Sequence, residues 1–203
     1  MALDKKNSQK YQLIIDAAVT VIADHGYHAA QVSKIAKEAG VADGTIYLYF
    51  KNKEDILVSL FRTKMGGFIS AIEERMATCP NAEEKLRQIV HMHFNQFSAQ
   101  PHLSVVMQLE MRQSARDLRL QINEVLKVYV HLMEDVIKSG KEEGTFSQNL
   151  DEKLGRQMLF GTLDEMVTNW VMKERKYDLR DLSKPAFEML LGAFKSGSLS
   201  TDA

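Results

Sequence analysis

Two groups of side chains in this 203-residue chain have types and spacings suited to binding. The first is the run Thr45-Ile46-Tyr47-Leu48-Tyr49, with Lys53 close behind it and Gln31 and Ser33 a short helix earlier. Hydroxyl, amide and ammonium groups donate hydrogen bonds to phosphate oxygens, and an aliphatic such as Leu48 can meet a thymine methyl. The second group is Arg112, Arg116, Arg119 and Asn123. The last three share a narrow polar arc of one helix, roughly 120° from its apolar face at about 100° per residue. Guanidinium groups fork onto phosphates, but the same arginines also suit a solvated face paired with Glu110 and Asp117.

Catalytic and metal chemistry find no comparable support. His91 and His93 are two residues apart, hence about 200° apart around a helix, and cannot share a metal by themselves. No nucleophile lies at an informative spacing from a base, and no glycine-rich phosphate loop occurs. The expectation is a protein that is not an enzyme and carries neither metal nor cofactor. His93 falls on an apolar helix face with Leu86, Val90 and Phe97, which suits either a core histidine or one that reads a ligand.

Composition bounds the remaining choices. The chain is 45% hydrophobic and 26% charged, as a globular protein is and a disordered one is not. Its net charge is −1, so the whole molecule does not announce a polyanion partner. Residues 1–53, however, hold seven Lys/Arg against five Asp/Glu, a mild basic excess. A single cysteine, Cys79, rules out an intrachain disulfide, and no apolar run approaches the roughly twenty residues of a membrane span. A cytoplasmic protein that does not enter membranes is expected.

Helical periodicity recurs throughout, and only three prolines interrupt it, so the fold class is all-α. Ile14, Ala17, Ala18, Val21 and Ile22 form one face of a first helix that ends near Gly26. Val32–Ala39 is a short second helix stopped by Gly40, and a third runs from about Asp43 to Phe50. This succession of short helix, glycine, tight turn and short helix is the arithmetic of a helix-turn-helix. Ile35, Ala36, Ala39, Ile46 and Phe50 would anchor it, leaving Thr45, Tyr47, Leu48 and Tyr49 along its outer edge. A major groove admits one such helix, and Lys53 could join the next helix's N-terminal dipole on one phosphate.

Longer helices follow: one from about Lys53 to Met76, then others after Asn81, Pro101, Ser114, Asp151 and Ser183. Methionines and aromatics line their apolar faces. Phe97, Met107, Leu126, Tyr129, Met133, Phe160, Leu163 and Trp170 could wall a pocket for a flexible chain, or simply fill a core. The stripe Phe187, Leu190, Leu191 and Phe194, with Met158, Leu159, Met166 and Trp170, exceeds what one thin layer can cover. Pairing two copies as a four-helix bundle would bury it, and an intrachain core is the alternative. The expected division is a DNA-binding part over residues 1–53 and a ligand-binding and dimerisation part over 54–203.

From Gly26-Tyr27 through Ile35-Ala36, Ala39-Gly40-Val41, Gly44-Thr45-Ile46-Tyr47 and Tyr49-Phe50 to Lys53-Glu54 and Leu57, the chain resembles the tetracycline-repressor family of bacterial regulators. It departs from that pattern at Ala30, Gln31 and Ala42, where relatives often carry threonine or serine, so Gln31 or Ser33 is expected to supply a phosphate contact. Two later runs, Leu109-Glu-Met-Arg-Gln-Ser and Arg156-Gln-Met-Leu-Phe-Gly-Thr-Leu-Asp-Glu, are similar to the branch of that family that represses fatty-acid degradation. The resemblance implies a homodimeric repressor on double-stranded palindromic DNA, its recognition helices roughly 34–36 Å apart. It further implies release by a long-chain acyl-CoA, with Arg112, Arg116 and Arg119 as candidates for the coenzyme A phosphates. Other lipid-like effectors (a drug, a lactone, a free fatty acid) fit the residues as well. An acyl-CoA-processing enzyme or lipid carrier would leave the outward tyrosines without a purpose.

Overall fold

A computed structural model describes residues 9–196, and every regular element among them is helical. The α-helices are α1 (Gln9–Ala29), α2 (Val32–Glu38), α3 (Asp43–Ile46), α4 (Lys53–Met76), α5 (Ala82–Ala99), α6 (Pro101–Glu110), α7 (Arg116–Glu142), α8 (Glu152–Met172) and α9 (Ser183–Ser196). A 3-10 turn, Leu179–Leu182, precedes α9. The chain divides into two compact units: residues up to Gly66 with Gln100–Val125, and Gly67–Ala99 with Leu126 onward. These units differ from the sequence-based division at residue 53. Their boundary at Gly66 falls inside the continuous α4 rather than at its first residue, and α6 packs with α1.

In the first unit α1 buries Ile14, Ala17, Ala18, Val21 and Ile22, the expected face, together with Tyr11 and Ile15. Its regular helix breaks at Gly26, whose φ of 74° lies in the left-handed region open to glycine. Leu103, Val106 and Met107 of α6 supply apolar packing in this unit. Gly40, with φ 66°, turns the chain between α2 and α3. Asn52 then starts α4: its side-chain oxygen accepts from Asp55 N–H at 2.8 Å, and the Asp55 carboxylate accepts from Lys51 N–H at 2.9 Å.

In the second unit α5 packs on α8, the 3-10 turn and α9. Asn81 caps α5 as its spacing suggests, accepting from Glu84 N–H at 2.9 Å. The Glu84 carboxylate does not close the box. It accepts instead from Gln88 and Arg87 at 2.7 and 3.0 Å, which holds it below the usual carboxylate range. α8 ends at Met172, because Glu174 and Arg175 adopt left-handed backbone at φ 56° and 60°. The turn lets Trp170 Nε1 donate to Tyr177 O at 2.7 Å.

The α9 stripe does not await a second copy. Phe187, Leu190 and Phe194 are buried within the chain; Phe194 meets Phe146 edge to face at 5.6 Å, and Arg87 lies 4.0 Å over the Phe187 ring. The large apolar side chains left outside on α8 and α9 are Leu154, Met158, Met172 and Met189, the last 74% exposed. Trp170 and Leu159 are buried as well, so the intrachain alternative holds for most of this set.

Candidate nucleic-acid interface and effector site

The helix-turn-helix forms where the spacing places it. Ile35, Ala36, Ile46 and Phe50 are buried, and Gln31 and Ser33 lie exposed at the start of α2. Gln31 is the N-cap but makes no side-chain capping bond, which leaves its amide for other work. The third helix is shorter than expected. It ends at Ile46 and continues as a tight turn in which Leu48 N–H donates to Thr45 O, and Tyr49 and Phe50 N–H both donate to Ile46 O. This turn holds Tyr47 and Leu48 outward, 59% and 63% exposed.

Tyr49 is not fully outward. It is half-buried, its ring 6.4 Å from those of both Tyr11 and Phe50. Thr45 is also half-buried. Beside them runs a groove lined by Tyr11, Tyr47, Tyr49, Lys51, Ser59 and Arg62. Lys51 and Arg62 are the cations that sequence reading missed here, because nothing in a linear pattern places Arg62, on α4, next to residue 47.

Lys53 departs furthest from expectation. Its ammonium donates to the carbonyls of Tyr27, His28 and Ala30 at 3.0, 3.0 and 3.2 Å and lies 4.6 Å over the Tyr27 ring. Three donors meet three acceptors, so the amine is engaged inside the protein rather than held out for a phosphate. The physical reason is the end of α1: carbonyls around the Gly26 break lack helical amide partners, and a cation satisfies them. The same segment is held from α6, where the Glu110 carboxylate accepts from Tyr27 N–H at 2.9 Å and from Gln113 Nε2 at 2.5 Å. Burial first, then the carboxylates of Glu54 and Glu110, push the Tyr27 phenol above its ordinary value.

The arginines do not gather into one fork. Arg119 is half-buried, and its Nη1 donates to Gln113 O and Ser114 O at 2.9 and 3.1 Å, closing the bend before α7. Arg116 extends outward, 78% exposed, with Asp117 at 4.0 Å. Arg112 donates to Gln108 O at 3.5 Å, and Asn123 is exposed. Glu110, which the alternative reading paired with this group, serves Tyr27 and Gln113 instead.

The apolar candidates sort by neighbour. Met107, Leu126, Met133 and Leu163 are buried, Phe160 only partly. Trp170 is committed to the turn after α8, which argues for anchoring rather than ligand contact. Three candidates do converge: His93, Phe97 and Tyr129, joined by Phe68 from α4. His93 Nδ1 lies 2.9 Å from the Tyr129 hydroxyl, and the His93 ring is 4.7 Å from Phe97 and 6.2 Å from Phe68. Burial alone lowers His93 to a pKa of about 3, so it is neutral at physiological pH, and burial pushes the Tyr129 phenol up.

Comparison with known proteins decides what these parts belong to. Residues 14–60 match the model of bacterial regulatory proteins of the tetR family, and residues 61–193 match the YsiA-like protein, C-terminal region. A fatty acid metabolism regulator protein of Bacillus subtilis is 53% identical over 187 residues, covering 92% of this chain and 96% of that one. The chain belongs to the TetR family.

Two solved structures extend the likeness to three dimensions. The fatty acid degradation regulator FadR from Bacillus halodurans has a TM-score of 0.88 and 61% identity, covering 90% of this chain and 98% of its own. FadR from Bacillus subtilis, solved in complex with stearoyl-CoA, has a TM-score of 0.87 and 53% identity, covering 93% and 99%. In this TetR-family chain no described helix is long and apolar enough to cross a membrane. No group of three or more His, Cys, Asp or Glu among the described residues could hold a metal ion.

Proposed function

We propose that this chain is a cytoplasmic, homodimeric repressor of fatty-acid degradation genes that leaves its operator when it binds a long-chain acyl-CoA. One observation carries the reading: the likeness to a regulator solved with stearoyl-CoA, at 53% identity over nearly the whole of both chains. In this reading Tyr47 and Leu48 enter the major groove, with Gln31, Ser33, Thr45 and the half-buried Tyr49 around them. Dimerisation gives the outward Leu154, Met158 and Met189 a partner surface, and two copies match a palindromic site. Arg116, whose guanidinium extends outward, is the foremost candidate for a coenzyme A phosphate. Arg112 and Arg119 would have to exchange carbonyl partners for phosphate oxygens. The acyl tail takes apolar side chains, with Phe97, Leu126, Met133 and Leu163 as candidates.

The response is a population shift, and a ligand moves it only through different affinities for the two states. The first unit contains a route by which it can be felt. Arg119 grips the carbonyls at 113 and 114, the Gln113 amide holds Glu110, and Glu110 holds Tyr27 N–H just before the helix-turn-helix. A phosphate that draws Arg119 away loosens this chain at its far end. Fluorescence anisotropy of a labelled operator duplex tests the reading. Palmitoyl-CoA is expected to release the protein, while palmitate and coenzyme A at equal concentration do not. Release by palmitate alone at the same concentration would reject the acyl-CoA assignment.

A further inference from the structure

Within the second unit, α5 and α7 bring His93 and Tyr129 into parallel contact, their rings 8° apart in orientation and 6.0 Å between centroids. Both are removed from water, with 3% and 1% exposure, and the rings of Phe68 and Phe97 lie against them. One hydrogen bond joins them, Nδ1 to the hydroxyl at 2.9 Å. His93 Nε2 is buried and has no hydrogen-bond partner.

Counting protons makes this informative. Neutral histidine carries one N–H and one bare nitrogen, and tyrosine carries one O–H. Their mutual hydrogen bond uses one donor and one acceptor. If Tyr129 donates, the Nε2–H is left over; if His93 donates, the Tyr129 O–H is left over. The pair therefore holds one spare donor in either arrangement. Natural interiors rarely leave a buried donor without an acceptor. Two aliphatic side chains would have filled the same space without that cost.

We infer that the His93–Tyr129 pair is the polar subsite for the thioester carbonyl of the bound acyl-CoA, its spare donor bonding the carbonyl oxygen while apolar side chains take the tail. The inference rests on the acyl-CoA reading above and adds how the ester end of the tail is recognised. A thioester brings an acceptor without a charge, which suits a neutral donor among aromatic rings. A free fatty acid would bring a carboxylate into the same place with no cation to compensate it, and the desolvation cost disfavours it. The subsite thus discriminates the activated acid from the free one without touching coenzyme A.

The test changes one group on the ligand. Calorimetry on the full-length protein compares palmitoyl-CoA with S-hexadecyl-CoA, a thioether that keeps the chain and the coenzyme but lacks the carbonyl. The thioester is expected to bind about tenfold more tightly, the worth of one buried hydrogen bond that the thioether leaves unmade. In the double variant His93→Phe with Tyr129→Phe the two probes are expected to bind alike. Tyr129→Phe alone keeps the preference, because His93 retains its N–H. Equal affinity of the wild-type protein for both probes overturns the subsite and leaves the acyl-CoA reading standing. Binding of neither probe removes that reading, and the subsite with it. The wild-type comparison needs no variant to fold.

Discussion

The segment from Tyr27 to Ala30 and the His93–Tyr129 pair are both points where polar groups lie partly or wholly away from water, and they are built oppositely. Around residues 27–30 the backbone is matched to charged partners: Glu110 on one amide, Lys53 on three carbonyls. Around His93 there is no charged partner in the hydrogen bonding at all, only a neutral pair enclosed by rings with one donor left over. A joint of charged, fully engaged bonds can trade one partner for another, which suits a segment that repositions a helix-turn-helix. A neutral pair with an unmet donor is completed only by a molecule that supplies an acceptor, which suits recognition. The two kinds of site call for different experiments.

Acid separates them most strongly. The unfolded His93 takes up a proton below its ordinary pKa of 6.5, whereas the folded one holds off until about pH 3. Below pH 6.5 the unfolded state therefore binds more protons. The contribution is intact above that value and is lost as pH falls toward 3, at about 1.4 kcal/mol per pH unit. Urea unfolding at pH 7 and pH 4.5 is expected to show a loss about 3 kcal/mol smaller for His93→Phe than for the wild type. Parallel losses in the two proteins would mean that the imidazole is not kept neutral by the fold.

Lys53→Ala comes next, and it examines the charged joint. Removing the ammonium leaves three carbonyls of the 27–30 segment without their donor, an expected loss of about 2 kcal/mol in stability. Operator binding weakens as the helix-turn-helix loses its support, yet the slope of log affinity against log salt stays that of the wild type. A slope shallower by about one phosphate contact would instead place Lys53 on the DNA.

Tyr47→Ala and Leu48→Ala should change stability least. Both side chains are mostly exposed, so each is expected to shift unfolding by no more than about 0.5 kcal/mol. Operator affinity is expected to fall about tenfold for each. A variant that binds operator normally would place that side chain outside the groove.

Sequence alone carried the helices and the helix-turn-helix because both are local. Ile14 to Ile22 repeat at helical spacing, and Gly40 marks its turn within seven residues of the helix it ends. It also singled out His93, Phe97 and Tyr129, since each lies on a strongly periodic apolar face. What it missed depends on partners far along the chain. Glu110 reaches Tyr27 across 83 positions, and Lys53 reaches back 23 to 26. Periodicity assigned Lys53 correctly to a helix start but could not show that the carbonyls of α1 would claim it. The α9 stripe misled for a related reason: amphipathicity states that a face is covered, and α5 of the same chain covers it.

Reciprocity between the two ligands tests the account most directly. If palmitoyl-CoA and operator favour different states of one protein, each must weaken the other by the same factor. Palmitoyl-CoA affinity should therefore be measured with the protein alone and with the protein saturated by operator duplex. The account predicts weaker binding to the operator-bound form, by the factor with which palmitoyl-CoA weakens operator binding. Equal affinity for the free and operator-bound protein would contradict it.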